Sequence, residues 1–383
     1  MNRLKVLQMI DKPSLGGGQT AVFLLASNLG WSEFDVSVCS EGGGPLVDAL
    51  NKIGVRHHEA SFGKKHWRKN IRDIRRILKT EQIDILHTHG GVAGFFGRWA
   101  AWQAKTPVLV HTLHGVHYLH YRNPVLKRTY IHLEKDFSRF TDKLVLVSEG
   151  DRALALRYRL APETKLAVVK NGLDLRGFPG PQDTNRLAKE FGIESAGPIV
   201  GTVARLHRQK GVIYLIRAAA RIKQAFPGAK VVCAGGGPLR PMMDRTVKTL
   251  GLEDTVVLLG DVENAASLIS LFDVFVLPSL WEGLPFVLIE AAALGKAIVA
   301  TNVEGNQEII SDGETGLLVP AKDPEALAEA VLKLLQDKAL ASRLAAAAQK
   351  IIPPRYTLSD MIRETEKLYL STWKEKNPSC HKN

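Results

Sequence analysis

Short apolar runs of strand length alternate with stretches of helical periodicity along the whole chain, and the alternation is set out twice. In the first half the strand candidates are 4–10, 35–39, 83–87, 108–112 and 144–147, followed by Val168-Val169 leading to Asn171-Gly172. In the second half they are 198–203, 230–234, 256–259, 274–277, 297–300 and 316–319. A helix between consecutive strands returns the chain to the same end of the sheet, so neighbouring strands pair in parallel. A chain of 383 residues also exceeds what one core normally organises. The expected fold is therefore α/β, with two Rossmann-like domains over residues 1–178 and 179–355. The glycine- and proline-rich piece Gly177-Phe-Pro-Gly-Pro181 is the expected hinge. A last helix, about 359–373, follows Pro353-Pro354, and segment 356–383 is expected to pack back on the first domain. Parallel sheets facing one another would gather their strand-end loops around an interdomain cleft. Neither half has a full G-x-G-x-x-G fingerprint, which argues against a standard dinucleotide site.

Composition excludes several classes. With 45% hydrophobic and 23% charged residues the chain is of ordinary globular type. Its longest apolar runs fall short of a membrane span. The opening run 4–10 contains Lys5 and leads directly into Asp11-Lys-Pro13, unlike a secretory leader, so a cytoplasmic location is expected. Cys39, Cys233 and Cys380 lie far apart without metal-ligand or C-x-x-C spacing, and read as two buried small residues and one tail residue. The net charge of +12 is uneven. Residues 1–178 hold 27 Lys and Arg against 16 Asp and Glu, a balance of +11, which suggests an anionic partner for that half. Much of the excess sits in segment 64–79, with eight cations and one acid. Trp67, Ile71, Ile74 and Leu78 recur there at helical spacing, so this helix is expected to pack an apolar stripe on the first sheet and turn cations outward.

Two carboxylates, Glu282 and Glu290, flank a loop-to-helix junction after the strand that ends at Pro278. Pro285 suits a first helical turn, where its missing N–H removes nothing, while the amides of Phe286 and Val287 stay unpaired at the helix start. Such an end attracts phosphate, and a carboxylate expected about two turns into the helix, Glu290, can accept from a ribose diol. Arg205 and Lys210 follow the strand 199–203, placing two cations where a diphosphate would need them. The chain has no Asp-x-Asp, the usual carboxylate pair for Mg²⁺ or Mn²⁺, so metal independence is expected. Gly16, Gly17 and Gly18, expected as a glycine loop after the first strand, let backbone approach a ligand, whereas Gly42-Gly-Gly44 reads as mainly structural. His87 and His89 have no third ligand at metal-binding spacing. His114 stands two residues beyond a strand, beside Gly115. His117, Tyr118 and His120 follow it in a loop that could shape an acceptor pocket.

These segments, taken in order, resemble the retaining glycosyltransferases of family 4, of the GT-B fold, over nearly the full length. The matching pieces include Gly16-Gly-Gly-Gln-Thr20, His111-Thr-Leu-His-Gly115, Asn171-Gly-Leu-Asp174, the run 201–211, Gly235-Gly-Gly-Pro-Leu239, the run 282–290 and Asp312-Gly313 to Thr315-Gly316. The resemblance implies catalytic roles for His114, Glu282, Arg205 and Lys210. Arg205 and Lys210 would hold the donor pyrophosphate, His114 would contact the transferred sugar and Glu282 would lie near sugar and phosphate. Glu290 would accept from the ribose hydroxyls, and the loop ending at Val262 would seat the base through backbone groups. Gly17, Gly18, Leu284, Phe286 and Val287 complete the implied donor site. No cofactor is implied, since the donor is a nucleoside-diphosphate sugar, UDP- or GDP-linked. The implied acceptor is a glycan or lipid-linked sugar in cell-surface polysaccharide, lipopolysaccharide or glycolipid synthesis, with an anionic membrane surface as a further partner at the inner face of the membrane. The rivals are a GT-B epimerase, which needs no acceptor, a phosphorylase, which needs a pyridoxal phosphate lysine and greater length, and a basic nucleic-acid-binding protein. The last lacks a zinc, helix-turn-helix or aromatic-interleaved basic signature, so no nucleic-acid partner is expected.

Overall fold

The computed structural model describes residues 3–178 and 184–378, in two units: Met1–Asn171 with Leu358–Asn383, and Gly172–Thr357. In the first unit seven strands form one parallel sheet: β1 (Leu4–Met9), β2 (Phe34–Ser40), β3 (Arg56–Glu59), β4 (Ile85–His89), β5 (Val108–Leu113), β6 (Lys143–Leu146) and β7 (Leu166–Val168). Their order is β3-β2-β1-β4-β5-β6-β7. The second unit repeats the plan with six parallel strands: β8 (Ile199–Val203), β9 (Lys230–Ala234), β10 (Val256–Gly260), β11 (Val274–Leu277), β12 (Ala297–Thr301) and β13 (Leu317–Val319), ordered β10-β9-β8-β11-β12-β13. The central strands β5, β11 and β12 are buried along their whole length, which is why they read as unbroken apolar runs.

In each sheet the chain winds outward from its first strand and then returns to that strand's other side. The reversal falls between β1 and β4 in the first unit and between β8 and β11 in the second. Loops leaving adjacent strands diverge there and open a crevice at the carboxyl ends. The segments after β1, β8 and β11 hold most of the candidate residues.

Three expectations are corrected. β3 has no apolar run: Arg56-His-His-Glu59 is an edge strand specified by its pairing with Ser37–Ser40 of β2. The units divide at Asn171/Gly172 and Thr357/Leu358 rather than at 178/179 and 355/356, because the Leu173 amide donates to the Tyr356 carbonyl at 2.9 Å and ties both crossing segments together on the second unit's side. Of the expected hinge, residues 179–181 lie outside the described residues, as does Cys380. Finally, Trp67 does not join the buried stripe of its helix, Trp67–Thr80. Ile71, Ile74 and Leu78 enter the core with Leu7, Leu86 and Phe96, but Trp67 is 37% exposed at the rim, edge-on to Trp99 and beneath the Arg68 guanidinium.

The terminal helix Leu358–Lys376 belongs to the first unit. Leu358, Met361, Ile362 and Tyr369 enter the core beside β1, β4 and β5, and the Glu366 carboxylate accepts from the Gly30 amide at 2.7 Å. Cys39 and Cys233 are buried, and burial raises both thiols to about 12.

Candidate functional site

In the second unit the chain after β8 turns through Arg205 and His207 into a short 3-10 turn, Arg208–Lys210. Gly211 follows with φ +60°, and a β-carbon there would collide with the Pro278 carbonyl, so only glycine lets this loop pass so close to the end of β11. The Leu280 amide completes the junction by donating to the Gln209 carbonyl at 2.7 Å. The result is an ion pair: Lys210 Nζ stands 2.6 Å from Glu282 Oε1, with side chains 17% and 5% exposed. Ser279 Oγ donates to the same oxygen at 2.6 Å.

Arg205 is held differently. The glycine loop after β9 lies against its backbone: a β-carbon at Gly235 would strike the Ala204 carbonyl, and the Leu206 amide donates to Gly236 at 2.7 Å. The Arg205 side chain is exposed and has no carboxylate partner among the described residues. His207, exposed to partial dehydration and to the positive charges of Arg205, Arg208 and Lys210, is pushed below the usual imidazole range.

The helix after Glu282 spans Phe286–Ala293, with Pro285 as the N-cap and not within the first turn as the sequence suggested. The amides of Phe286 and Val287 are the first two of the helix, and no described residue accepts from them. Glu290 lies just over one turn in, not two. It is half-buried by surface area, yet protein surrounds its carboxyl closely enough that lost hydration raises it to about 7. Its carboxyl has no hydrogen-bond or ion-pair partner among the described residues. Leu284 is buried in the loop before the helix, and Val262 is half-buried in the loop after β10, where Asp261 Oδ1 accepts from the Gly236 amide at 2.6 Å. This unit therefore gathers a free cation, two unused helix-start amides and a partnerless carboxyl. Such a set can take an anion together with hydroxyl donors.

In the first unit Gly17 and Gly18 are not loop residues but the first turn of the helix Gly17–Asn28. Gly18 packs against His114, and a β-carbon on it would stand 3.4 Å from the imidazole Cδ2. His114 is half-buried, and loss of hydration lowers it to about 4, so the ring is neutral at pH 7. His87 and His89 sit in a hydrogen-bonded core network with Gln8, Thr112 and Tyr369. Among the described residues no group of three or more potential ligands is placed to hold a metal ion. Gly44 caps the helix Pro45–Lys52, consistent with a structural role for that glycine run. Gln8, His89 and Tyr369 were not singled out as functional from sequence, nor were Ser279 and Gln209. The only hint was a polar glutamine, and histidines two apart, inside strands otherwise apolar.

Two family models match. "Glycosyl transferase 4-like domain" covers residues 16–172 and "Glycosyl transferases group 1" covers 183–351. The chain is 28% identical to the Escherichia coli UDP-Gal:alpha-D-GlcNAc-diphosphoundecaprenol alpha-1,3-galactosyltransferase, over 88% of this chain and 90% of that protein. It is 26% identical to the Bacillus anthracis N-acetyl-alpha-D-glucosaminyl L-malate synthase, over 93% of this chain and 94% of that one. In fold it is similar to Anabaena Alr3699/HepE, solved in complex with UDP and glucose, with a TM-score of 0.85, 20% identity, and 96% of this chain and 100% of that one covered. A family model on each unit, relatives aligned along most of the length and two parallel-sheet domains together place the chain among the family 4 glycosyltransferases of the GT-B fold.

Proposed function

We propose that this glycosyltransferase moves a sugar, with retention and without a metal, from a nucleoside-diphosphate sugar to a glycan or lipid-linked acceptor in cell-surface polysaccharide or glycolipid synthesis. The observation that carries the reading is the second unit's set of the Arg205 side chain, the Phe286 and Val287 amides and the Glu290 carboxyl, none of which has a partner among the described residues. When the donor C1–O bond breaks, its electron pair stays on the departing phosphate, and fixed cations and amides stabilise that charge where a metal otherwise would. The acceptor oxygen forms the new bond to C1, and its proton passes to the departing phosphate. Lys210 serves the diphosphate, Glu282 holds Lys210 in place and lies near the sugar, Glu290 accepts from the ribose, and His114 contacts the transferred sugar. The loop at Val262 seats the base, with Gly17 and Gly18 as further donor contacts.

For the donor, support comes from the UDP-linked sugar in the name of the Escherichia coli relative and from the UDP bound to the Anabaena protein. For the acceptor, it comes from the diphosphoundecaprenol-linked sugar in the same relative's name. The first unit's cations extend that reading to an anionic membrane surface on the cytoplasmic side. No helix among the described residues is long and apolar enough to cross a membrane. Lys64, Lys65, Arg68, Lys69, Arg72, Arg76 and Lys79 are exposed without an ion-pair partner among the described residues. The test is to incubate the protein with UDP- and GDP-sugars in excess EDTA, with and without a lipid extract, and to follow nucleoside-diphosphate release and the anomeric configuration of product. Acceptor-dependent release that survives EDTA is expected. Release without acceptor would favour the epimerase, and activity restored only by Mg²⁺ or Mn²⁺ would overturn metal independence.

A further inference from the structure

A continuous chain of hydrogen bonds crosses the first unit's core, from the terminal helix to His114. Tyr369 Oη meets His87 Nδ1 at 2.5 Å, and His87 Nε2 meets Thr112 Oγ1 at 2.6 Å. In the other direction Gln8 Nε2 donates to Tyr369 Oη at 2.8 Å, and Gln8 Oε1 accepts from His89 Nε2 at 2.7 Å. His89 Nδ1 then meets His114 Nε2 at 3.0 Å, with the two rings stacked. Gln8, His87, His89 and Tyr369 are each at most 2% exposed.

Burial lowers His87 and His89 well below the ordinary imidazole range and His114 to about 4, so at pH 7 each ring carries one N–H and one lone pair. The proton positions then follow from the amide of Gln8, whose oxygen only accepts and whose nitrogen only donates. An accepting Oε1 requires His89 to carry its proton on Nε2, which leaves His89 Nδ1 as a lone pair and requires His114 to donate from Nε2. On the Tyr369 side, the hydroxyl that accepts from Gln8 donates to His87 Nδ1, and His87 Nε2–H donates to Thr112. Each hydrogen bond of the chain then has one donor and one acceptor. Turning the Gln8 amide over would reverse every bond and move the His114 proton to Nδ1, so the two ends of the chain are coupled.

We infer that Gln8, clamped by Tyr369 of the terminal helix, is a positioning residue that holds His114 as the Nε2–H tautomer and presents its Nδ1 lone pair to a substrate hydroxyl. His114 Nδ1 has no partner among the described residues. The substrate part of this inference rests on the proposed contact between His114 and the transferred sugar; the tautomer does not. A neutral histidine held this way accepts a hydrogen bond from the sugar and gives none from Nδ1, which selects for a hydroxyl at that position.

The experiment uses the full chain with ¹⁵N-labelled histidine and long-range ¹H–¹⁵N correlation spectra at pH 7, the His114 signals being identified by their loss in His114→Asn. The wild type is expected to show a protonated Nε2 and an unprotonated Nδ1 at His114. Tyr369→Phe, which keeps the ring but removes the hydroxyl, and Gln8→Met, which keeps the volume but removes the amide, should both give a mixture of tautomers, with turnover reduced and the KM for the donor little changed. Thermal melts of both variants establish that they fold. A protonated Nδ1 in the wild type would overturn the assignment, and an unchanged His114 spectrum in both folded variants would overturn the clamp. His114→Ala separates the two readings. If the tautomer stands as inferred but His114→Ala turns over normally, the sugar contact fails and the proton assignment survives; if His114→Ala loses turnover but the spectra contradict the assignment, the reverse holds.

Discussion

Glu290 gives a prediction whose size and sign follow from its surroundings. Its carboxyl is raised to about 7 in the folded unit against 4.5 for an unperturbed glutamate, with burial as the cause and no cation among the described residues to offset it. The folded state therefore holds the proton more tightly than the unfolded chain. Stability from this group is complete below pH 4.5, falls as pH rises through 4.5 to 7, and is fully lost above 7. At 1.36 kcal/mol per decade of pH the loss is about 3 kcal/mol. Glu290→Gln removes the titration, so the variant should be more stable than the wild type above pH 7 by up to that amount and equal to it near pH 4, as read by urea denaturation at several pH values. Binding should respond in the opposite sense. If a ribose diol donates to the ionised form, raising pH from 6 to 8 should increase uridine affinity roughly tenfold as the carboxyl ionises. Glu290→Gln should lose that dependence and, at pH 8, about 1.5–3 kcal/mol of binding, the value of a hydrogen bond to a charged group. Uridine has no phosphate to confuse the profile, so titration calorimetry with uridine at pH 6, 7 and 8 is the assay. Undiminished uridine affinity in Glu290→Gln, or a wild-type pH profile retained by it, would refute the reasoning.

Three further outcomes are expected. Lys210→Ala should weaken UDP by about 1.5–3 kcal/mol while leaving uridine nearly unaffected, because the cation serves the diphosphate; equal losses for both ligands by calorimetry would reject the role. Replacing the exposed Lys65, Arg68, Arg72 and Arg76 with Gln should abolish sedimentation with anionic liposomes at low salt while preserving UDP binding, since each cation near such a surface contributes on the order of 1 kcal/mol; a wild type that ignores anionic liposomes at low salt would show these cations to be merely solvated. Arg98 makes a buried bidentate pair with Glu134, at 2.6 and 3.0 Å, so Arg98→Ala should lower stability by about 3–5 kcal/mol in urea melts, and adding Glu134→Leu should recover much of it.

The alternation of apolar runs with helical stretches determined the fold class, because a strand followed by a helix can rejoin a sheet only in parallel and a strand buried on both faces must be apolar throughout. It thus located all but two of the strands: β3 escaped because an edge strand with two exposed and two half-buried side chains needs no apolar pattern and takes its place from β2, and β7 because it is a three-residue strand, half-buried throughout, at the far edge of the sheet. Candidates for a donor site could also be named from the sequence, since phosphate and ribose call for cations, free amides and a carboxyl in particular local settings: after a strand, at a helix start, further along a helix. Their pairing could not. That Lys210 reaches Glu282 depends on β8 and β11 being neighbours at the reversal of strand order and on Gly211 passing beneath Pro278, contacts between segments about 70 residues apart in the chain. The same holds with greater force for Gln8, His89 and Tyr369. A glutamine in the first strand and a tyrosine in the last helix, separated by 361 residues, acquire a joint role only when the terminal helix packs beside β1 and β4. Local sequence records what each segment can become, whereas a buried hydrogen-bond chain exists only once the core that excludes water from it has formed.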